Sequence, residues 1–235
     1  MKKIKNGLVG LILIGFALGS LAQSVAADYP NKPIRLVVGF APAGAADYVA
    51  RAMSDQLGKA LGQTVIVENK AGAGSSIAAE FVSKAASDGY TILIASPSSM
   101  SVNPALNPKL GYSPKDLAPI TKITSSPLVI AASAKSNITS IKELIAQAKR
   151  APGTLNYASS GNGSAPHLGG ALFEQVAGVD MQHIPFRGGA PAIASVIAGD
   201  TQLTFGTPPS VLPMVQAGRL RGLAVSTRER SPLFP

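Results

Sequence analysis

A short apolar strand, a turn of small residues and a helix occur in that order twice in this chain, and the pair sets the class of fold it can adopt. The first copy spans residues 34–61, IRLVVGFAPAGAADYVARAMSDQLGKAL, and the second residues 155–177, LNYASSGNGSAPHLGGALFEQVA. In each, a buried strand delivers the chain to Gly, Ala, Ser and Pro, and a helix then starts with backbone N–H groups pointing back at the turn. The first N–H groups of a helix lack partners and carry the positive end of its dipole, so such a turn is a ready anion site. Two of them, far apart in the chain, predict two lobes able to grip one acidic small molecule.

The rest of the chain repeats the same rhythm. The β-branched run TVIV at 64–67 reads as a strand. Ala46, Val49, Ala50, Met53, Leu57 and Leu61 recur at helical spacing. A Gly-rich loop over 69–76 leads to a helix capped by Ser75 or Ser76, with Ile77, Phe81, Val82 and Ala85 as its core face. Asp88-Gly89 turns the chain into a strand at 90–95, and Ser, Asn and Pro then make 96–119 a loop. Strands at 128–132, 181–185, 202–205 and 220–225 alternate with helices at 140–150, 191–198 and 208–218. Ser140 with Glu143 fits a capping box. Strands alternating with helices imply βαβ units and a mostly parallel sheet. The rhythm restarts after the Pro/Ser-rich stretch, which places a junction near 121–127 and predicts two α/β domains.

The N-terminus stands apart from that core. Lys2, Lys3 and Lys5 precede an apolar run over 8–21, and Val25-Ala26-Ala27 offers a cleavage site before Asp28. This is the grammar of a secretory signal peptide over 1–27, with a run shorter than the ~20 apolar residues of a membrane span. Without those three lysines the formal charge falls from +9 to +6. The remaining Lys and Arg are scattered, with no basic run interleaved by aromatics, so nucleic-acid binding is not expected and a mild attraction for anions is. The chain has no Cys and only two His, which argues against a zinc site. No metal and no cofactor is expected.

Enzyme signatures fail one by one. Gly161-Asn162-Gly163 begins a dinucleotide fingerprint, but Pro166 stands where its third glycine belongs. Neither glycine loop ends in G-K-[ST], and no G-x-S-x-G nucleophile elbow occurs. Ser164 and His167 lie three apart at a helix start. They are read as a helix cap and a first-turn polar residue; a hydrolase using Ser164 or Ser160 with His167 on an ester is the competing reading. Asp47 is placed to cap the first helix, and Arg187 follows a strand, where it could meet a carboxylate.

Several strings in one order carry a family resemblance: YPNKPIRLVVGFAPAGAAD, VIVENKAGAGSSIAAE, DGYTILIAS, LNYASSGNGSAPHLGGALFEQVAGVD, HIPFRGGAPA and AGRLRGLAVSTRERSP. From Tyr29 to Pro235 the chain resembles the Bug family, the periplasmic solute-binding proteins of tripartite tricarboxylate transporters. The resemblance implies a type II periplasmic-binding-protein-like α/β fold: two α/β lobes, a two-stranded hinge and a ligand cleft between the lobes. It implies lobe 1 over 28–123 plus 224–235, lobe 2 over 124–223, and a first lobe incomplete at its C-terminus, because family chains continue past Pro235. It implies a monomeric periplasmic protein, not an enzyme, that captures a small organic acid (a di- or tricarboxylate, an amino acid or an aromatic acid) and delivers it to the membrane subunits of the transporter. A truncated, non-functional binding protein is the alternative within the family.

Carried over by position, the ligand loop of lobe 1 falls on Phe40, Ala41, Pro42, Ala43, Gly44, Ala45, Ala46 and Asp47, with Ser96, Ser98 and Ser99 as its second. In lobe 2 the matching positions are Tyr157, Ala158, Ser159, Ser160, Gly161, Gly163, Ser164, His167, Arg187, Gly188, Phe205 and Thr207. The family holds a ligand carboxylate largely with backbone N–H groups, hydroxyls and waters. Its first loop usually reads P-P-G-G-G-T-D, and this chain departs from that with Ala43-Gly44-Ala45-Ala46-Asp47. A family acid after the strand ending at Phe205 is replaced by Gly206-Thr207.

Overall fold

The computed structural model describes residues 28–230; residues 1–27, read above as a signal peptide, lie outside the described residues, and 28–31 carry no helix or strand. The body that begins at Lys32 is built on two sheets. The first has three strands in the order β2–β1–β3: β1 (Ile34–Val38), β2 (Val65–Asn69) and β3 (Thr91–Ile94), with β1 parallel to both neighbours. As the middle strand, β1 is covered on both faces, which is why its apolar run shows no alternation. Leu36 and Val38 pack with Ala50 of helix α1 (Ala45–Leu61), while Val37 packs with Ala78 and Val82 of helix α2 (Ser76–Ser83). Each such fully buried aliphatic side chain contributes about 1.5–3 kcal/mol.

The second sheet has five strands in the order β6–β5–β7–β4–β8: β4 (Val129–Ser133), β5 (Asn156–Ser159), β6 (Gln182–Pro185), β7 (Leu203–Gly206) and β8 (Leu220–Val225). β5 runs parallel to β6 and β7, whereas β4 is antiparallel to both β7 and β8. Between the strands lie α4 (Ile141–Arg150), α5 (Ala165–Ala177), α6 (Gly189–Ala198) and α7 (Pro208–Gln216). Ala224 and Val225 pair with Ile130 and Val129, so the chain stays in this sheet to the end of β8. It leaves beside its own entry point: Ser226 N–H donates to the Leu128 carbonyl and Leu128 N–H to Ser226 Oγ, both at 2.9 Å.

Three local readings change. The stretch 96–119 is not loop throughout: a π-helical turn at Ser98–Val102 runs into α3 (Asn103–Leu106), and a 3-10 turn follows at Pro114–Asp116. On α2 the inward residues are Ala78, Ala79 and Val82, and Ile77 is half exposed because it folds back over Gly72. Ser140 caps α4 by accepting the Glu143 N–H, but the Glu143 carboxylate reaches back to the Thr139 N–H and hydroxyl, leaving half of the expected box. Among the described residues no helix is long and apolar enough to cross a membrane.

Candidate functional site

Both strand–turn–helix units form, and they face each other. In the first, Asp47 is the organiser. It is 3 % exposed and sits in the first turn of α1. Its carboxylate accepts the Ala43 N–H at 3.0 Å, Arg51 Nε at 2.9 Å and Asn69 Nδ2 at 2.9 Å. The helix N-cap is Gly44, so Asp47 does not cap the helix; it pulls the preceding turn onto it. Ala43 is held at φ +61, a left-handed conformation that costs a non-glycine residue about 1–2 kcal/mol, and the carboxylate bond to its N–H offsets that cost. Asn69 also donates to the Phe40 carbonyl, tying the end of β2 to the turn. Burial raises the Asp47 pKa, but the bonds from Arg51, Ala43 and Asn69 outweigh it, and the net shift is downward.

The second turn is held without ions. Ser159, fully buried, accepts the Gly161 N–H at 3.1 Å and bonds His183 Nε2. Ser164 caps α5 by accepting the His167 N–H, and His167 Nδ1 accepts the Gly163 N–H at 3.1 Å. The His167 ring stacks on His183 with centroids 4.0 Å apart, and Tyr157 follows at 5.1 Å from His183. Burial lowers the pKa of both histidines; His183, with His167 against it, is pushed down to about 4. Burial, then the nearby Glu174 charge, raises that of Tyr157. Since Ser164 Oγ is bonded to a backbone N–H and His167 Nδ1 to another, the pair does not form the nucleophile–base contact of a hydrolase.

Each turn meets a loop of the other sheet: the first meets the loop after β6, and the second meets the 72–75 loop. Ala41 N–H donates to the Arg187 carbonyl at 3.0 Å. Gly188 lies so close that a Cβ there would sit 2.8 Å from Ala41 N, and a Cβ on Gly74 would sit 2.3 Å from the Asn162 carbonyl oxygen. Between them is a cavity of about 180 Å³. One wall is Gly39 with residues 72–75; the other is residues 160–162 with residues 185–187. A more open groove of about 570 Å³ lies on the second-sheet side, over Asn156, Pro191, Ser195, Asp200 and Thr201. It touches only one half, and its Asp200 repels an anion.

Of the residues expected at the site, Ser160, Gly161 and Arg187 line the cavity, and Ala41 and Gly188 close its edge. Arg187 is exposed and has no carboxylate partner among the described residues. Phe40, Pro42, Ala43, Gly44, Ala45, Ala46 and Asp47 shape the first turn behind that edge, as Ala158, Ser159, Gly163, Ser164 and His167 shape the second. Ser96, Ser98 and Ser99 are bonded to one another, with Tyr112 OH on the Ser99 carbonyl, and do not line the cavity. Tyr157 and Phe205 are core residues, rings 5.5 Å apart edge to face. Thr207 is the N-cap position of α7.

The sequence reading missed the loop at 72–75, which supplies most of one wall. Its signal was present: a Gly-rich run between β2 and α2 is a third strand–turn–helix unit. Asn103 fixes it, donating to the Ala73 carbonyl at 3.0 Å and to Ser76 Oγ at 2.7 Å.

Comparison with known proteins identifies the family. Residues 49–235 match the family described as tripartite tricarboxylate transporter family receptor. Protein BugT of Bordetella pertussis is 37 % identical over 231 residues, 97 % of this chain and 71 % of its own. Rpa4515 of R. palustris, solved with adipate, superposes with a TM-score of 0.84 at 33 % identity, covering 86 % of this chain and 68 % of that one. MatC of Rhodopseudomonas palustris, solved with bound malate, gives 0.82 at 29 % identity, covering 87 % and 70 %. The chain belongs to the tripartite tricarboxylate transporter receptor family, the Bug solute-binding proteins, and has the α/β fold of type II periplasmic binding proteins.

Proposed function

We propose that the protein captures a small organic acid in the cavity between the loops of its two sheets and hands it to the membrane subunits of a tripartite tricarboxylate transporter. The observation that carries this reading is a cavity of about 180 Å³ whose walls come from loops of both sheets, with the Ala41–Arg187 backbone bond joining the two sides. That lining offers hydroxyls, backbone groups and one unpaired guanidinium, with no carboxylate. It suits an anion, and the acids bound by Rpa4515 and MatC are of the same class. No bond is made or broken. The acid favours the closed arrangement because it touches both walls, and only contacts with both can shift that equilibrium.

The supporting elements divide accordingly. Residues 32–123 form one lobe and 124–225 the other. The paired segments at Leu128 and Ser226 are the hinge. The work is placed in the periplasm, in keeping with the family and with the signal-like segment over 1–27, and is done by a monomer.

A thermal-shift screen of the full chain against C4–C6 mono-, di- and tricarboxylates tests the reading. A few acids are expected to raise the melting temperature in proportion to the logarithm of their concentration, by linkage. No shift with any acid up to millimolar concentration contradicts it.

A further inference from the structure

Two imidazoles hold one wall of the cavity in place. Gly161 and Asn162 line that wall, and the backbone on each side of Asn162 is tied down by its N–H: Gly161 donates to Ser159 Oγ and Gly163 to His167 Nδ1, both at 3.1 Å. Ser159 Oγ also bonds His183 Nε2, and the His183 ring stacks on that of His167. Gly161 and Gly163 sit at φ +126 and +72, where glycine moves freely, so the segment has little stiffness of its own. Its place decides the shape of the cavity, because Asn162 packs against the opposite wall at Gly74. An N–H can only donate, so His167 Nδ1 carries a lone pair there and the ring is neutral, with its hydrogen on Nε2. A proton added to Nδ1 would point at the Gly163 N–H and turn that bond into a repulsion. The titratable groups facing the ring are His183 on β6, Tyr157 on β5 and Glu174 on α5. Glu174 favours the proton, but its carboxylate is already engaged by the Met181 N–H and the Tyr157 hydroxyl, and burial wins: the His167 pKa lies below its ordinary value.

We infer that His167 is a positioning residue that switches the site with a proton: neutral, it holds Gly163 and the cavity wall in the binding shape, and protonated, it lets the wall and the bound acid go. The inference rests on the solute-binding reading above and concerns its regulation, not the choice of acid. It separates from a direct ligand contact by sign. An imidazolium touching a carboxylate would be favoured by the ligand, so binding would tighten in acid and the ligand would raise the His167 pKa. A ring that must stay neutral to hold the wall gives the opposite. Binding weakens as the pH falls below about 6.5, and by reciprocity the ligand lowers that pKa.

Calorimetry with adipate and with malate on the full chain, at about pH 7.5 and about pH 5, compares the wild type with His167→Asn, whose amide oxygen takes the Nδ1 place as acceptor and does not titrate. The acids' own titration is common to both proteins and cancels in the comparison. The expected result is that wild-type affinity falls at least about threefold further than that of the variant over this range. A second measurement needs no variant and so stands even if His167→Asn does not fold. NMR follows the His167 ring and the Gly163 amide of the wild type against pH; the two are expected to share one midpoint, and saturating adipate to move it downward. Equal falls in both proteins, a Gly163 amide that ignores the titration of the ring, or an upward move with adipate overturns the role of His167 and leaves the solute-binding reading intact. A wild type that binds neither acid at the higher pH overturns both.

Discussion

The turns of the two strand–turn–helix units are held in shape by different physics. The first is organised by a buried charge: the Asp47 carboxylate collects N–H groups from Ala43, Arg51 and Asn69. The second is organised by neutral groups and rings: Ser159 and Ser164 supply hydroxyls, and His167, His183 and Tyr157 stack beneath them. The difference follows from what each turn is built against. The first sheet has three short strands and two small apolar clusters, so little packing area is available to hold a strained turn. The second has five strands and two larger clusters, and a ring stack can be seated on them. A charge network substitutes for packing where the core is thin.

That contrast can be broken one side at a time. Removing the ring that anchors the second turn has the largest expected effect. Tyr157→Ala empties a fully buried site between Phe205 and the His183 ring and should lower stability by about 3–5 kcal/mol in chemical denaturation. Asp47→Ala strands the Ala43 N–H and the Asn69 amide and should cost about 2–3 kcal/mol; Asp47→Asn, which still accepts one bond, should lose less.

Acid separates the two turns without mutation. His183 is held neutral, with a pKa of about 4 against an ordinary value near 6.5. The unfolded chain therefore takes up a proton that the folded one refuses. Stability is full above about pH 6.5 and falls as the pH drops from there to about 4. The Asp47 pKa is also lowered, so its contribution persists until the pH falls below the ordinary carboxylate value of about 3.9. Melting temperature against pH should thus decline first through the second turn, and His183→Gln should flatten the decline above pH 4 while leaving the steeper fall below it. Arg51→Ala should do least. Its guanidinium is exposed, and Asp47 keeps two other donors, so the change in melting temperature should be small and should shrink further in high salt.

What could be read from residues alone divides along a similar line. Ile34–Val38, the α1 periodicity and the Ser164 cap are local, and each was legible because a few neighbouring residues decide it. Ile77, apolar and at helical spacing, reads as inward, yet it is half exposed; its place is set by Gly72, which gives it room to fold back. The serines at 96, 98 and 99 resembled ligand donors in sequence but spend their hydroxyls on one another. Phe205, which only the family resemblance places at the cleft, sits in the core. The cavity itself needs Gly39, Gly74, Asn162 and Phe186, brought together from separate loops, and no single segment announces that meeting. Ser75 is the extreme case, since neither its left-handed backbone nor its lone hydroxyl has any local signature.

The central claim is that one acid touches both walls at once, and amide NMR of the labelled protein titrated with adipate tests it directly. The account predicts that the Gly74 and Ser75 signals from one wall and the Gly161 and Asn162 signals from the other shift together, on a single saturation curve. Shifts confined to one wall, or gathered instead around Asn156 and Thr201 in the open groove, would contradict it.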